Sequence, residues 1–255
     1  MKLHEKLRAG KTVFGVFCEL ACADSVELAG IAGWDFVVVD CEHSAIAMSA
    51  LPEFVRAGEC GGVPVIVRVE DDVPALIQHV LDAGAAGVQI PQIASGDAAE
   101  RAVRAARFHP GGERGFNPFV RAAKFSAEPV EEFLQRSNAE TVVVMQVESA
   151  GGLAAIDSVV AQAGLDVIFI GPYDLSQSLG IPGDVGNELV LRAGAEIVAR
   201  AEAFGKAVGV FVNNAELASR WMAAGVRYIC YSVDSVLLLA ALRAALGEVR
   251  GQPPH

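Results

Sequence analysis

The stretch that decides the fold is GWDFVVVDCEHSAI, residues 33–46. It opens on a glycine turn, runs through four apolar residues with no polar alternation, and ends in Asp40, Glu42 and His43. A short continuous apolar run of this kind reads as a strand buried on both faces, the hallmark of a covered parallel sheet. Its polar tip places three titratable groups where that strand ends.

Seven further runs share the pattern. They are TVFGVFCE (12–19), PVIVRV (64–69), GVQIPQ (87–92), TVVVMQVE (141–148), DVIFIG (166–171), AVGVFV (207–212) and YICYSV (228–233). Ala-rich helical segments lie between them, several ending in a glycine suited to a helix C-terminus. Eight strand–helix units in 255 residues predict a single α/β domain over 1–255, a TIM (β/α)8 barrel, with a doubly wound open sheet as the alternative. In a barrel, chemistry gathers at the carboxyl ends of the strands. Those ends carry Glu19, Asp40 to His43, Arg68, Gln92, Gln146 with Glu148, Gly171 to Asp174, Asn213 with Asn214, and Asp234.

Composition narrows the function. The chain is 53% hydrophobic and carries a formal charge of -11, with no basic run interleaved with aromatics, which argues against disorder and against nucleic acid as a partner. Five cysteines without a CxxC pair suit reduced thiols. No signal-peptide core or membrane span is evident, so the chain reads as soluble and cytoplasmic.

Several chemistries drop out. AGKT (9–12) ends like a phosphate-binding loop, but the position of its first glycine holds Glu5. No GxGxxG opens a helix after the first strand, and no GxSxG elbow occurs. None of the five lysines (2, 6, 11, 124, 206) ends a strand, which leaves a Schiff-base aldolase without its amine.

What remains favours a metal. Glu148 and Asp174, ending consecutive strands, suit a hard divalent cation that keeps open positions for water or substrate, although Asp174 could instead cap the helix that follows. His43 is the one histidine of five that follows a buried strand with an acid nearby; Asp40 within hydrogen-bond reach would fix its tautomer and raise its basicity. Arg68 interrupts an apolar strand and needs an anion, either a substrate carboxylate or a structural partner such as Glu148 or Glu70. The long segment 108–129, after the fourth strand, could place Arg114 over a ligand or be a solvated excursion.

Taken in order, GWDFVVVDCEHSAI, PVIVRV, VLDAGAAGVQIPQI (80–93), MQVESAGGLAAID (145–157) and IFIGPYDLSQSLG (168–180) resemble the HpcH/HpaI family of class II, metal-dependent pyruvate aldolases, such as the 4-hydroxy-2-oxoheptanedioate aldolases. The resemblance spans nearly the whole chain. It implies a barrel of the phosphoenolpyruvate/pyruvate-domain type and cleavage of 4-hydroxy-2-oxo acids to pyruvate and an aldehyde, with Mg²⁺, Mn²⁺ or Co²⁺ as cofactor.

By the same resemblance, His43 with Asp40 is the acid/base pair and Arg68 contacts the keto acid and its enolate. Glu148 and Asp174 are the metal ligands. Gln146, Gly171, Pro172, Tyr173, Asp174, Phe211 and Val212 surround the substrate. Asp82 reaches a neighbouring subunit's site in a homotrimer or homohexamer, and the last helix, SVLLLAALRAALG (235–247), is exchanged between subunits. Departures from the family pattern, namely PQI at 91–93, Tyr173 in place of a frequent alanine, and FVNN at 211–214, fall where the aldehyde is expected. Two rival readings are a citrate-lyase-β-like acyl-CoA lyase, holding its phosphates with Arg114 and Arg121, and a non-catalytic barrel that binds a metal or keto acid.

Overall fold

All eight apolar runs form parallel strands in a computed structural model that describes residues 1–251; the last four residues of the 1–255 span lie outside the described residues. The strands are β1 (Val13–Cys18), β2 (Phe36–Asp40), β3 (Val65–Arg68), β4 (Gly87–Ile90), β5 (Val142–Val147), β6 (Val167–Ile170), β7 (Ala207–Val212) and β8 (Tyr228–Val233). They pair in sequence order, and β8 closes on β1 through Val13↔Tyr228 and Gly15↔Cys230. Closure removes both sheet edges and decides against the open doubly wound sheet.

Among the described residues twelve α-helices surround or plug the barrel: α1 (Leu3–Arg8), α2 (Asp24–Ile31), α3 (Leu51–Gly61), α4 (Pro74–Asp82), α5 (Gly96–Ala106), α6 (Val130–Glu140), α7 (Ala150–Ala154), α8 (Ile156–Val160), α9 (Pro172–Ser178), α10 (Glu188–Ala203), α11 (Ala215–Ala223) and α12 (Asp234–Arg250). Ser95, Ser149, Asn187 and Asn214 cap α5, α7, α10 and α11 by accepting from first-turn N–H groups.

Strand alternation sorts the apolar residues into two cores. Phe17, Phe36, Val38, Ile66, Val144, Phe169 and Tyr228 fill the barrel interior, with Leu3 and Leu7 of α1 packed against them. Val37, Val39, Val65, Val67 and their counterparts face the helices. The interior takes large rings because it has glycines opposite: a β-carbon at Gly15 would enter the Phe36 ring, and one at Gly209 would crowd Tyr228 and Phe169. Phe36 and Tyr228 stack with centroids 4.1 Å apart.

The same alternation carries upward into polar residues. Asp40, Arg68 and Gln89 continue the inward rows of β2, β3 and β4 and stand side by side in register. The interior core therefore forms the floor of a polar layer at the carboxyl end.

The segment 108–129 corrects an expectation. It follows α5 and so begins at the amino-terminal end of the barrel, opposite the polar layer. Arg114 is buried there, donating to Asp82 at 2.6 Å and to Ser137 at 3.2 Å, with its guanidinium 4.5 Å from the Phe108 centroid. Arg121 pairs with Glu59 and bonds the Ala83 carbonyl on the same side.

Lys206 also lies at that end, donating to the carbonyls of Gln162 and Leu165 at 2.8 and 2.9 Å. α12 stands apart from this packing. None of its residues is buried, and Val236, Leu238, Leu239, Leu242, Leu246 and Val249 are exposed.

Candidate active site

Asp40 is wholly buried at the tip of β2, and a carboxylate there requires partners. Arg68 supplies two of them: Nε donates to Oδ1 at 2.8 Å and Nη2 to Oδ2 at 2.7 Å. The backbone N–H groups of Glu42 and His43 add 2.9 and 3.3 Å contacts. This bidentate pair is the geometry arginine favours with a carboxylate.

It also revises two expectations. Asp40 is bonded to Arg68 and to backbone amides instead of to the His43 ring, because register sets Asp40 directly opposite Arg68. For the same reason Arg68 pairs with Asp40 and Glu42, not with Glu148 or Glu70.

The His43 side chain, 61% exposed, has Glu42 as its nearest carboxylate, with Nε2 3.8 Å from Oε1. The Glu42 side chain is largely covered, 8% exposed, and its Oε2 lies 3.2 Å from Arg68 Nη1 without forming a hydrogen bond. Burial raises the Glu42 pKa above its ordinary value despite the opposing charges of Arg68 and His43. For Arg68, burial acts to lower the pKa, but the hydrogen bonds and charge of Asp40, helped by Glu42 and Glu148, raise it. Arg68 is a cation throughout the working pH range. Cys41, between these residues in sequence, lies in the outer core with its thiol pushed up to about 12 by burial, too high for a nucleophile.

Glu148 lies just beyond β5, 5% exposed. Its Oε1 accepts from the Gln92 backbone N–H at 2.7 Å, and its Oε2 accepts from Gln146 Nε2 at 2.7 Å. Gln92 reaches this position with φ of 54°, a left-handed conformation uncommon for a side-chain-bearing residue, and its side chain extends to Glu42 Oε1 at 3.4 Å. Gln146 is oriented in turn by Gln89, whose Nε2 donates to Gln146 Oε1 at 2.5 Å. A β-carbon at Gly171 would occupy the space of the Glu148 carboxylate, so glycine is required there.

Asp174 sits in the first turn of α9, whose cap position is Gly171, so it is an exposed first-turn carboxylate and not the cap. The Glu148 pKa is pushed up to about 6, first by burial and then by the negative charge of Asp174, with Gln92 and Gln146 acting in the opposite sense.

This donor set fits a hard divalent cation. Two carboxylates from neighbouring strand ends repel each other, and Glu148 has amides around it but no cation bonded to it. Among the described residues no group of three or more His, Cys, Asp or Glu gathers, which leaves the rest of an oxygen-rich coordination shell to water or substrate.

The remaining rim is aromatic. Phe17 lies under the Arg68 guanidinium at 4.9 Å, Phe211 meets Phe17 at 5.8 Å, and Tyr173 meets Phe211 at 5.9 Å. Pro172 is buried at the start of α9. Val212 departs from its expected place on the substrate: one residue past the inward Phe211, its side chain packs in the outer core.

Sequence reasoning passed over Gln89 and Phe17. Gln89 had the same signal as Arg68, a polar residue inside an apolar strand, whereas nothing in the sequence pairs Phe17 with Arg68.

The family model described as HpcH/HpaI aldolase/citrate lyase matches residues 13–241. A hydroxypyruvate/pyruvate aldolase of Pseudomonas aeruginosa is 34% identical, covering 99% of this chain and 94% of the relative. A 2-keto-3-deoxy-L-rhamnonate aldolase of Escherichia coli O157:H7 is also 34% identical, covering 93% and 89%. Among solved structures, an HpcH/HpaI aldolase/citrate lyase family protein from Burkholderia cenocepacia J2315 superposes with a TM-score of 0.91 at 36% identity, covering 97% of this chain and 98% of that one. Since the matched span begins at β1, runs past β8 and takes in every strand tip described above, the chain belongs to the HpcH/HpaI aldolase/citrate lyase family.

Proposed function

We propose that this chain is a divalent-metal-dependent aldolase, cleaving 4-hydroxy-2-oxo acids to pyruvate and an aldehyde and running the reverse addition. The observation that carries the reading is the buried Glu148 carboxylate, raised to about 6 beside Asp174, within the same strand-end layer as a fixed Arg68 cation. Glu148 and Asp174 would hold Mg²⁺, Mn²⁺ or Co²⁺. Bound there, the cation supplies Lewis-acid polarisation of the substrate's 2-oxo group.

The chain's own residues do the rest. His43, exposed at the mouth, accepts the 4-hydroxyl proton. The bond between carbons 3 and 4 breaks, its electron pair passes into the enolate of pyruvate, and carbon 4 becomes the aldehyde carbonyl. A proton returned to carbon 3 completes pyruvate. Arg68 stabilises the negative charge that develops on the enolate, a role that depends on its being held rigid. Asp40 acts through Arg68 as a positioning residue, and Glu42 is the carboxylate that steadies a protonated His43.

Arg114 and Arg121, the groups that an acyl-CoA substrate would have needed, are committed to Asp82 and Glu59 at the opposite end, which disfavours the lyase of that type. The exposed apolar residues of α12 support a homotrimer or homohexamer in which another copy covers them. In such an assembly Asp82, held by Arg114 within its own chain, would lie near a neighbour's site. No helix among the described residues is long and apolar enough to cross a membrane, and we assign the enzyme to the cytoplasm.

The test is pyruvate release from a panel of 4-hydroxy-2-oxo acids. Chelator-stripped protein should release none and should recover with Mg²⁺, Mn²⁺ or Co²⁺. Full activity without metal, a lysine adduct trapped by borohydride, or binding without turnover would each overturn the reading.

A further inference from the structure

One buried side chain in the strand-end layer is left half-satisfied. Gln89 lies in β4 between Val88 and Ile90, which face the outer core, and is itself wholly buried in the inward row. Its Nε2 donates to Gln146 Oε1 at 2.5 Å, but its own Oε1 is buried with no hydrogen-bond partner among the described residues. One neutral hydrogen bond gained and one carbonyl oxygen left unsatisfied nearly cancel in stability, so packing alone gives no reason for an amide at this place.

The unpaired oxygen follows from the partners beyond it. Glu148, as a carboxylate, can only accept, and its Oε2 receives a hydrogen bond from Gln146 Nε2 at 2.7 Å. Gln146 must then present Oε1 toward β4, where only a donor suits it, so Gln89 supplies Nε2 and turns its own Oε1 away. Each amide orientation is thus set by the one before it, starting from the carboxylate. Glu148 Oε1 is held separately by the Gln92 backbone N–H at 2.7 Å. Each Glu148 oxygen accepts one hydrogen bond and keeps capacity for a further contact. Glu148 alone would orient Gln146 only while its charge is not shared with a cation. Gln89 holds the same amide from the other end.

We infer that Gln89 is a positioning residue for the cation site: acting through Gln146, it keeps an N–H donor on Glu148 Oε2 and so holds that carboxylate in place for a divalent cation. The inference rests on the metal-dependent aldolase reading and adds to it a residue that touches neither proposed ligand, since the one hydrogen bond of its side chain among the described residues is to Gln146. Without Gln89 the Gln146 amide would be free to turn its carbonyl toward the carboxylate. Outer partners of metal ligands change affinity by about ten- to a hundredfold, and Gln89, one step further back than Gln146, belongs at the lower figure.

The experiment measures Mn²⁺ affinity by electron paramagnetic resonance in the parent, Gln89→Met, Gln146→Met and the double variant, methionine keeping the side-chain length and removing the amide. Gln89→Met should weaken binding about tenfold and Gln146→Met at least as much. The double variant should bind no more weakly than Gln146→Met, because without Gln146 nothing is left for Gln89 to orient. Metal-free Gln89→Met should melt in urea close to the parent's midpoint, since one unpaired amide oxygen replaces another and an apolar chain fills the same space.

An affinity of Gln89→Met within about twofold of the parent, or single losses that multiply in the double variant, would overturn the inference while leaving the cation site standing. A Gln89→Met protein that melts far below the parent would make Gln89 a structural residue and overturn it too. A parent that binds no Mn²⁺ would overturn the metal-dependent reading, and this inference with it.

Discussion

At the amino-terminal end of the barrel Arg107, Arg114 and Lys6 each have a carboxylate partner within the chain, although Arg114 Nε is buried without an acceptor. Arg107 donates to the carbonyls of Asn138, Thr141 and Gly164 and to Asp166, Arg114 has Asp82 and Ser137, and Lys6 has Asp35. At the carboxyl end the accounting is left open. Arg68 is shared by Asp40 and Glu42, Glu42 Oε2 and Gln89 Oε1 are buried without hydrogen-bond partners, and Glu148 is raised to about 6. The two ends differ in what is left over: a single guanidinium nitrogen at the amino-terminal end, carboxylate and amide oxygens around a raised Glu148 at the carboxyl end. Closed pairs lock the fold, whereas the unsatisfied end stores a demand that a cation and an anionic keto acid can meet.

The strongest way to break this comparison is at Glu148 and Arg68. Glu148→Gln or Arg68→Ala should lower kcat/KM by about a thousandfold or more, as loss of a charge-stabilising group does. Metal-free Glu148→Gln should be no less stable than the parent in urea, since it removes a buried, repelled charge. A variant that unfolds while the parent does not would make Glu148 a structural residue.

Arg107→Ala should do the reverse. It leaves Asp166 and three carbonyls without their donor and should cost about 3–5 kcal/mol in a urea melt, while the folded fraction turns over normally. A loss below about 1 kcal/mol would show that the amino-terminal pairs are not locks.

A smaller effect concerns pH. Below about 6 Glu148 holds a proton that the cation must displace, so metal affinity measured by calorimetry should weaken about tenfold per pH unit and level off above that value. Affinity that does not change between pH 5 and 7 would remove Glu148 from the ligand set. The sign for the metal-free protein follows from the raised pKa: this group favours the fold below its ordinary 4.5, and that contribution is lost as pH rises through about 6.

The smallest expected change is at Lys2, whose pair with Glu140 is exposed. Lys2→Ala should shift stability by less than about 1 kcal/mol. A larger loss would mean that exposed pairs also contribute to closing this end.

The strands were legible because each is a β-branched run bounded by turn residues, and their inward and outward faces follow from a period of two. That period also placed Asp40, Arg68, Gln146 and Glu148 at the mouth. Partner choice was harder to read. Whether Asp40 meets His43 or Arg68 depends on the β2–β3 register, which no local pattern encodes. The position of 108–129 turned on counting α5 between β4 and the loop, since one intervening helix moves a segment to the other end of the barrel. Val212 was misplaced by a single step of the same alternation that put Phe211 inside.

The central claim is that Glu148 and Asp174 form one cation site on which turnover depends. Its most direct test is Mn²⁺ binding, followed by electron paramagnetic resonance alongside pyruvate release, in the parent, Glu148→Gln and Asp174→Asn. The account expects about one tightly held Mn²⁺ per parent chain, with binding and turnover lost together in both variants. Undiminished Mn²⁺ binding in the variants, or pyruvate release from the metal-stripped parent, would contradict it.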